Sequence, residues 1–313
     1  MALPESFRGR LRLPVVAAPM FLVSSPELVI EGCRSGVIGT LPALNFRTSE
    51  QFEQALQLFH DKLDDSHAPW GVNLIMHESN TRLEEDLALL EKYQAPLVIT
   101  SLGINEAVIK RVQAWGGVVF HDIAMLRHAQ KAAAAGVDGI IAVAGGAGGH
   151  AGVINPFALV KEIRSFFDGT LLLAGAISQG EQILAAQLLG ADLAYLGTRF
   201  IVANESWAAP EYKQMVTETS SSDIVYTSAV SGVGANFMAP SLAQAGLDPK
   251  ALALKPFGGK LKDLQDEAKA WKNIWSAGQG VGSIKQTAPI AEIVGQLEKE
   301  YQQAFRHADD LRP

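Results

Sequence analysis

The chain has 313 residues, of which 48% are hydrophobic, so it is long enough to bury a large core. A formal net charge of −7 provides no basic surface for nucleic acid or an anionic membrane, and no apolar run reaches the ~18–20 residues of a membrane span. The single cysteine, Cys33, excludes an intramolecular disulfide and suits a reducing compartment. The first residues lack the pattern of a signal peptide, and we expect a cytoplasmic protein with Cys33 as a buried thiol.

In chain order, eight short apolar segments predict β-strands. They cover residues 15–20, 37–43, 71–75, 97–101, 118–122, 139–143, 171–176 and 193–197. Their apolar content is nearly continuous and lacks polar alternation, which is typical of parallel strands that are covered on both faces.

Helix signals separate these segments. Ser25 and Asn155 each precede a proline, which places a capping residue before the first helical position. Residues 48–51 and 178–181 both resemble capping boxes. This alternation predicts an α/β fold of the (β/α)8 TIM-barrel type. A doubly wound sheet is the alternative, but its glycine-rich first turn is missing after the first strand.

The sequence changes character after the eighth strand. Residues 208–284 predict a mostly helical insertion that covers the mouth of the barrel, with helices over 239–245 and 261–275. Residues 1–207 and 285–313 are expected to form the barrel itself, and the amphipathic segment 290–305 predicts its closing helix.

The run from residue 145 to residue 152 places five glycines around His150, directly after the sixth predicted strand. Glycines let the backbone approach a flat or anionic ligand closely, and an imidazole is suited to handling a proton there. A tight turn with a solvated histidine is the alternative interpretation.

Ligands of such barrels bind at the carboxyl ends of the strands, and phosphate commonly binds after strands seven and eight. Gly175 and Ala176 follow strand seven, and Gly197 and Thr198 follow strand eight. The backbone N–H groups of these four residues therefore predict an anion site.

Other polar residues lie at predicted strand ends. Asn73 is a lone amide within an apolar strand, and His121 and Asp122 end strand five, where a core histidine and a helix-capping aspartate are the alternatives. The glycine-rich segment 275–282 predicts a loop that brings Ser276 and Gln279 towards the ligand. No spacing of His, Cys, Asp or Glu predicts a metal site.

Together these segments resemble the nitronate monooxygenase (2-nitropropane dioxygenase) family of FMN-dependent barrels. The matching motifs are APM at 18–20, VNL at 72–74, GGHAG at 148–152, GAI at 175–177, GTRF at 197–200 and WSAGQG at 275–280.

The resemblance implies a non-covalent FMN. Its phosphate would bind at Gly175, Ala176, Gly197 and Thr198, and its ring would lie near Ala18, Pro19, Met20, Asn73 and Gly148. His150 would take the catalytic position, and Ser276, with His121 and Gln279, would approach the substrate. Ala176 replaces a glycine that relatives often carry, which requires a φ below zero. Asp122 stands at a position where some relatives carry a basic residue.

The activity implied is oxidation of alkyl nitronates, and of nitroalkanes, by O2 to carbonyl compounds and nitrite. His150 would act as a base towards a nitroalkane or as a cationic partner of the nitronate anion. NAD(P)H:quinone reductases and FMN-dependent enoyl-acyl-carrier-protein reductases share the barrel and are the alternatives. A non-redox isomerase or aldolase is a further one, although no lysine ends a strand. The expected partners are small molecules, and the sequence is also compatible with a homodimer.

Overall fold

The computed structural model describes residues 2–253 and 272–310. Its strands are β1 (Val15–Ala17), β2 (Ile38–Pro42), β3 (Trp70–Ile75), β4 (Leu97–Ser101), β5 (Val118–Ile123), β6 (Gly139–Val143), β7 (Gly149–His150), β8 (Thr170–Ala174), β9 (Leu193–Leu196), β10 (Ile224–Thr227) and β11 (Ala235–Met238). Eight of them pair in parallel and close a barrel in the order β1-β2-β3-β4-β5-β6-β8-β9. The predicted (β/α)8 barrel is thus confirmed.

Helices surround the barrel and extend over its mouth. They are α1 (Pro26–Arg34), α2 (Ser49–Lys62), α3 (Leu83–Lys92), α4 (Glu106–Ala114), α5 (Leu126–Ala134), α6 (Pro156–Arg164), α7 (Gly180–Leu189), α8 (Thr198–Ile201), α9 (Pro210–Glu218), α10 (Ala239–Gln244), α11 (Pro249–Ala253) and α12 (Ile290–Asp310). None of the helices in the described ranges is long and apolar enough to cross a bilayer.

Side-chain caps fix where several helices begin. Ser25 Oγ accepts a hydrogen bond from the Leu28 N–H at 2.9 Å, as predicted for α1. The capping box predicted at residues 178–181 is shifted by one residue, because α7 begins behind Gln179. Gln182 Oε1 accepts there from the N–H groups of Ser178 and Gln179, at 2.7 and 3.1 Å.

The interior of the barrel is a packed core. Ile99, Phe120 and Ile141 belong to one buried cluster, and the Phe7 ring closes it at the amino-terminal ends of the strands, 6.1 Å from the Phe120 ring. Because side chains alternate along a strand, polar and small residues follow at the opposite end. We call that set, Asn73, Ser101, Asp122, Val143, Ala174 and Tyr195, the top layer.

The insertion contains a small antiparallel sheet as well as helices. β10 pairs with β11, and β11 pairs with β7, so that Ala235 lies opposite His150. The expectation of a mostly helical insertion missed this sheet, because four-residue strands are too short to show a clear period. α10 confirms the helix predicted at 239–245, whereas most of the helix predicted at 261–275 lies outside the described residues.

Cys33 is fully buried, with its Sγ 3.5 Å from the Pro69 carbonyl oxygen. Burial raises the pKa of this thiol to about 12, so it stays protonated at neutral pH. The expected buried thiol is confirmed.

Candidate active site

A cavity of about 1660 Å3 opens at the carboxyl ends of the barrel strands. Its lining includes His150, Asp122, Asn73 and the turns after β8 and β9. The cavity therefore lies at the face where the sequence predicts the ligand site, and the top layer forms its inner end.

His150 lies on β7, outside the barrel, and its backbone is held on two sides. On one side, β7 pairs with β11 in the insertion. On the other, the Gly149 N–H donates to Ser276 Oγ at 2.6 Å. Just after β7, the Tyr226 hydroxyl donates to the Ala151 carbonyl at 2.9 Å. His150 is therefore a half-buried residue of a supported strand in the cavity wall, rather than part of a solvated turn.

Ser276 is buried and uses its hydroxyl within the protein. Its Oγ donates to the Asn236 carbonyl at 2.6 Å while it accepts from Gly149. The Tyr212 hydroxyl donates to the Ser276 carbonyl at 2.5 Å, which fixes the backbone as well. Ser276 lines the cavity, but these contacts give it the role of positioning the strand that carries His150.

The loop around residue 279 packs against the loop before β7. The Gln279 N–H donates to the Gly146 carbonyl at 2.8 Å, and the Gln279 side chain is exposed. A Cβ at Gly148 would lie only 2.9 Å from the Gly278 nitrogen and 3.1 Å from Thr198 Oγ1. Glycine at 148 is thus required for this close contact between the two loops.

The turn after β8 has an unusual backbone. Gly175 has φ of +142° and Ala176 has φ of +55°, so the requirement that Ala176 have φ below zero is wrong. The Ala176 N–H donates to the Gly146 carbonyl at 3.3 Å, which removes it from the four N–H groups predicted to bind an anion. Ser178, two residues further along the chain, has a hydroxyl group close to this turn.

Ser178 was not singled out from the sequence. It is buried at 2% exposure, lines the cavity, and its Oγ has no hydrogen-bond partner within the described part of the chain. This hydroxyl is therefore available to a group that binds in the cavity. After β9, Thr198 Oγ1 accepts from the Gly278 N–H at 2.8 Å, and a Cβ at Gly197 would lie 3.7 Å from the Met20 side chain.

Residues 18–20 follow β1, which ends at Ala17 rather than at residue 20 as predicted. The Ala18 N–H still donates to the Leu196 carbonyl at 2.9 Å, and the Met20 N–H donates to Ser24 Oγ at 2.9 Å. Ala18, Pro19 and Met20 all line the cavity.

A chain of hydrogen bonds crosses three neighbouring strands in the top layer. Asn73 Nδ2 donates to Ser101 Oγ at 2.7 Å, and Ser101 Oγ donates to Asp122 Oδ2 at 2.7 Å. Asn73 is 6% exposed and also donates to the Ile99 carbonyl at 3.2 Å. The chain fixes the orientation of the Asp122 carboxyl group.

Asp122 faces the cavity and does not cap a helix, because α5 begins at Leu126 behind Met125. Burial raises the pKa of Asp122 to about 6, and the Ser101 hydrogen bond and the charge of His150 oppose that rise. Burial and the Asp122 charge raise the pKa of the Tyr195 phenol well above its ordinary value, so it remains neutral.

His121 precedes Asp122 on β5, and it also lines the cavity. Its Nδ1 lies 2.8 Å from Thr100 Oγ1, and it is 4% exposed. Burial lowers the pKa of His121 to about 4, so the ring is neutral at neutral pH.

Within the described ranges, no three His, Cys, Asp or Glu side chains form a group that would hold a metal ion. The sequence also missed Ser101, Tyr195 and Asn236. Ser101 ends a predicted strand and Tyr195 lies inside the last one, and both were detectable in principle, since alternation places such residues at the cavity. Asn236 was not, because it depends on the pairing of β11 with β7.

Comparison with known proteins gives a consistent result. A sequence model described as nitronate monooxygenase matches residues 71–300. The chain is 28% identical to a nitronate monooxygenase from Paraburkholderia phytofirmans, over 93% of each protein. A structure of nitroalkane oxidase from Streptomyces ansochromogenes matches with a TM-score of 0.80 and 25% identity, over 97% of this chain and 100% of the other. FabK from Thermotoga maritima matches with a TM-score of 0.78 and 22% identity, over 96% of each chain, which shows a shared fold.

Proposed function

The chain belongs to the nitronate monooxygenase family, and on that premise we propose that it is an FMN-dependent oxidoreductase that converts alkyl nitronates and nitroalkanes to carbonyl compounds and nitrite, with O2 as the oxidant. The observation that carries the proposal is that His150 and the turns after β8 and β9 line one cavity. A proton-handling imidazole and an anion site in one cavity suit a phosphorylated cofactor beside a carbon acid.

The residues at the outer turns fit the phosphate end of FMN. Ser178 offers a buried hydroxyl with no partner in the described ranges, and the backbones of Gly175 and Gly197 line the same cavity. α7 begins at Gly180, and the N–H groups at its start already donate to Gln182 Oε1 and Glu300 Oε2, so the Ser178 hydroxyl rather than this helix end is available to the phosphate. Gly175, Ser178, Gly197 and Thr198 would therefore hold the phosphate.

The inner part of the cavity fits the flavin ring. Ala18, Pro19 and Met20 supply apolar and backbone contacts, and Asn73 supplies a buried amide whose Nδ2 is already engaged. Its Oδ1 suits a donor on a heterocycle edge. The cavity volume of about 1660 Å3 exceeds the ~300–1,000 Å3 of a typical small-ligand site and leaves room for a substrate beside the cofactor.

When bound, FMN would accept electrons from the substrate and pass them to O2. The remaining chemistry belongs to His150. Towards a neutral nitroalkane, the imidazole removes a proton from the carbon that bears the nitro group. Towards a nitronate, the imidazolium binds the anion. The support that β11 and Ser276 give to β7 keeps this ring in place, as proton transfer between fixed groups requires.

The test is anaerobic mixing of the purified flavoprotein with ethylnitronate, NADH or NADPH, while the flavin absorbance is followed. We expect ethylnitronate to bleach the flavin, and O2 to restore its colour with release of nitrite. Bleaching by a nicotinamide and not by the nitronate would instead assign a quinone or enoyl reductase. A colourless protein that binds no flavin would overturn the proposal and favour the isomerase or aldolase alternative.

A further inference from the structure

Asp122 places a carboxyl group at the inner end of the cavity, and its surroundings fix its position. Its Oδ2 accepts from Ser101 Oγ at 2.7 Å, and Ser101 accepts from Asn73 Nδ2 at 2.7 Å. A carboxyl group that receives a single hydroxyl hydrogen bond keeps most of its charge unsatisfied when it ionises. Asp122 therefore influences whatever binds in the cavity.

The titratable groups that face Asp122 come from β7 and β9, neither of which pairs with β5. His150 of β7 attracts the carboxylate, and Tyr195 of β9 interacts with its charge. The neighbours on β4 and β6, Ser101 and Val143, are uncharged. Burial raises the pKa of Asp122 to about 6, so it is mostly ionised at pH 7 and mostly neutral at pH 5.

These charges act differently on the two substrate classes of the proposed function. A nitronate is an anion, and the Asp122 carboxylate repels it as strongly as a similarly placed imidazolium attracts it. A nitroalkane is neutral and is not repelled. When His150 takes its proton, the C–H bond breaks, an N–H bond forms, and the electron pair moves into the C=N bond of the nitronate. The Asp122 carboxylate stabilises the imidazolium that results.

We propose that Asp122 is a specificity-determining residue. It adapts this site to neutral nitroalkanes, which His150 deprotonates after they bind, rather than to nitronate anions taken from solution. The inference rests on the proposed function and names the substrate class for the same site. In this inference Asp122 acts by its charge, which repels an anionic substrate and stabilises the imidazolium of His150.

The test compares kcat/KM for nitroethane and for ethylnitronate at pH 7.5 in wild type and Asp122→Asn. We expect the nitroethane value to fall about 10-fold and the ethylnitronate value to rise about 10-fold, since one unit charge a few ångströms away changes binding by at least this factor at an effective dielectric of 20. Opposite changes cannot come from structural damage, which lowers both values. Equal changes in both, or no change, would overturn the inference.

Two further variants support the comparison. Ser101→Ala removes the hydrogen bond that lowers the Asp122 pKa, so Asp122 should stay neutral up to a higher pH. The pH below which ethylnitronate is accepted should therefore be higher in this variant than in wild type. Asp65→Asn changes an exposed aspartate on the surface and should leave both kcat/KM values as they are. If Asp122→Asn does not fold, the Ser101→Ala profile decides alone, and an unshifted profile counts against the inference.

A measurement without turnover separates this inference from the proposed function. Nitrate is a planar, inert anion, and its binding to the holoenzyme can be followed by the flavin absorbance. We expect about 10-fold tighter nitrate binding in Asp122→Asn than in wild type at pH 7.5. Equal nitrate affinity would refute the charge role of Asp122. If neither nitro substrate is turned over but nitrate binding tightens, the proposed function fails and the charge role stands.

Discussion

The Ser276 hydroxyl accepts a hydrogen bond from the Gly149 N–H at 2.6 Å, one residue before the imidazole of the cavity. Ser276 and Gly149 are 127 residues apart in the chain, so the contact joins the end of the insertion to the barrel loop after β6. Because Ser276 also donates to the Asn236 carbonyl, one side chain connects the loop before α12, the insertion sheet and β7.

Ser276→Ala should therefore weaken the strand that carries His150. The Gly149 N–H and the Asn236 carbonyl would lose a partner, and an unsatisfied buried group costs about 1–3 kcal/mol. We expect the free energy of unfolding in urea to fall by that amount, with turnover of nitroethane reduced about 10-fold and bound FMN retained. Ser283→Ala, whose hydroxyl is exposed, is the control. Unchanged stability and turnover would show that the contact is dispensable.

His150→Asn should separate proton removal from the later chemistry. An amide cannot take the proton of a nitroalkane, and loss of a general base typically costs 10²-fold or more in rate, so we expect nitroethane turnover to fall by about 10²-fold. Ethylnitronate needs no deprotonation and should be affected less. Steady-state oxygen consumption measures both, and His307→Asn, at an exposed position on α12, serves for comparison. An equal loss with the two substrates would contradict the assignment of His150 as the base.

Gly148→Ala should separate two loops that now touch. The new methyl group would lie 2.9 Å from the Gly278 nitrogen, so the backbone must move. We expect weaker FMN retention on dialysis and lower turnover. Gly136→Ala is the control variant, because alanine is strained at its φ of +81° but the added Cβ would meet nothing within 4 Å. That variant should lose about 1–2 kcal/mol of stability and keep its flavin. Similar flavin loss in both variants would show that general destabilisation, and not the contact between the two loops, causes the loss.

The pH dependence of stability should carry the signature of Asp122. Its pKa is raised from 3.8 to about 6 in the folded protein, so between these values the unfolded chain ionises while the folded carboxyl stays protonated. The unfolded state then binds fewer protons, and stability falls as pH rises through this window, by up to about 3 kcal/mol. Asp122→Asn should lack this fall, so its stability relative to wild type should rise between pH 4 and 6 in urea titrations of the two proteins. Parallel curves would refute the raised pKa.

Local sequence signals predicted the barrel well. Apolar strands and capping residues such as Ser25 depend on neighbours in the chain, and the structure contains them. Strand ends were predicted less well, because apolar residues continue past the last ladder pair, as residues 18–20 do after β1.

Contacts between distant segments could not be predicted. The pairing of His150 with Ala235 depends on the insertion folding back over the mouth. The positive φ of Ala176 depends on the turn it shares with Gly175, which tertiary contacts impose against the preference of alanine. The orientation of Asp122 follows from Ser101 on the next strand, and sequence alone left it open between cavity and helix cap.

The Gly146 carbonyl oxygen accepts from both the Ala176 N–H and the Gln279 N–H, so three loops meet at one atom. Opening any one of them exposes hydrogen-bonding groups of the other two. The amides of Ala176 and Gln279 should consequently exchange with deuterated solvent at a common rate, as members of one cooperative unit. Opening of the turn after β8 would then loosen the loop that leads into the strand of His150 as well.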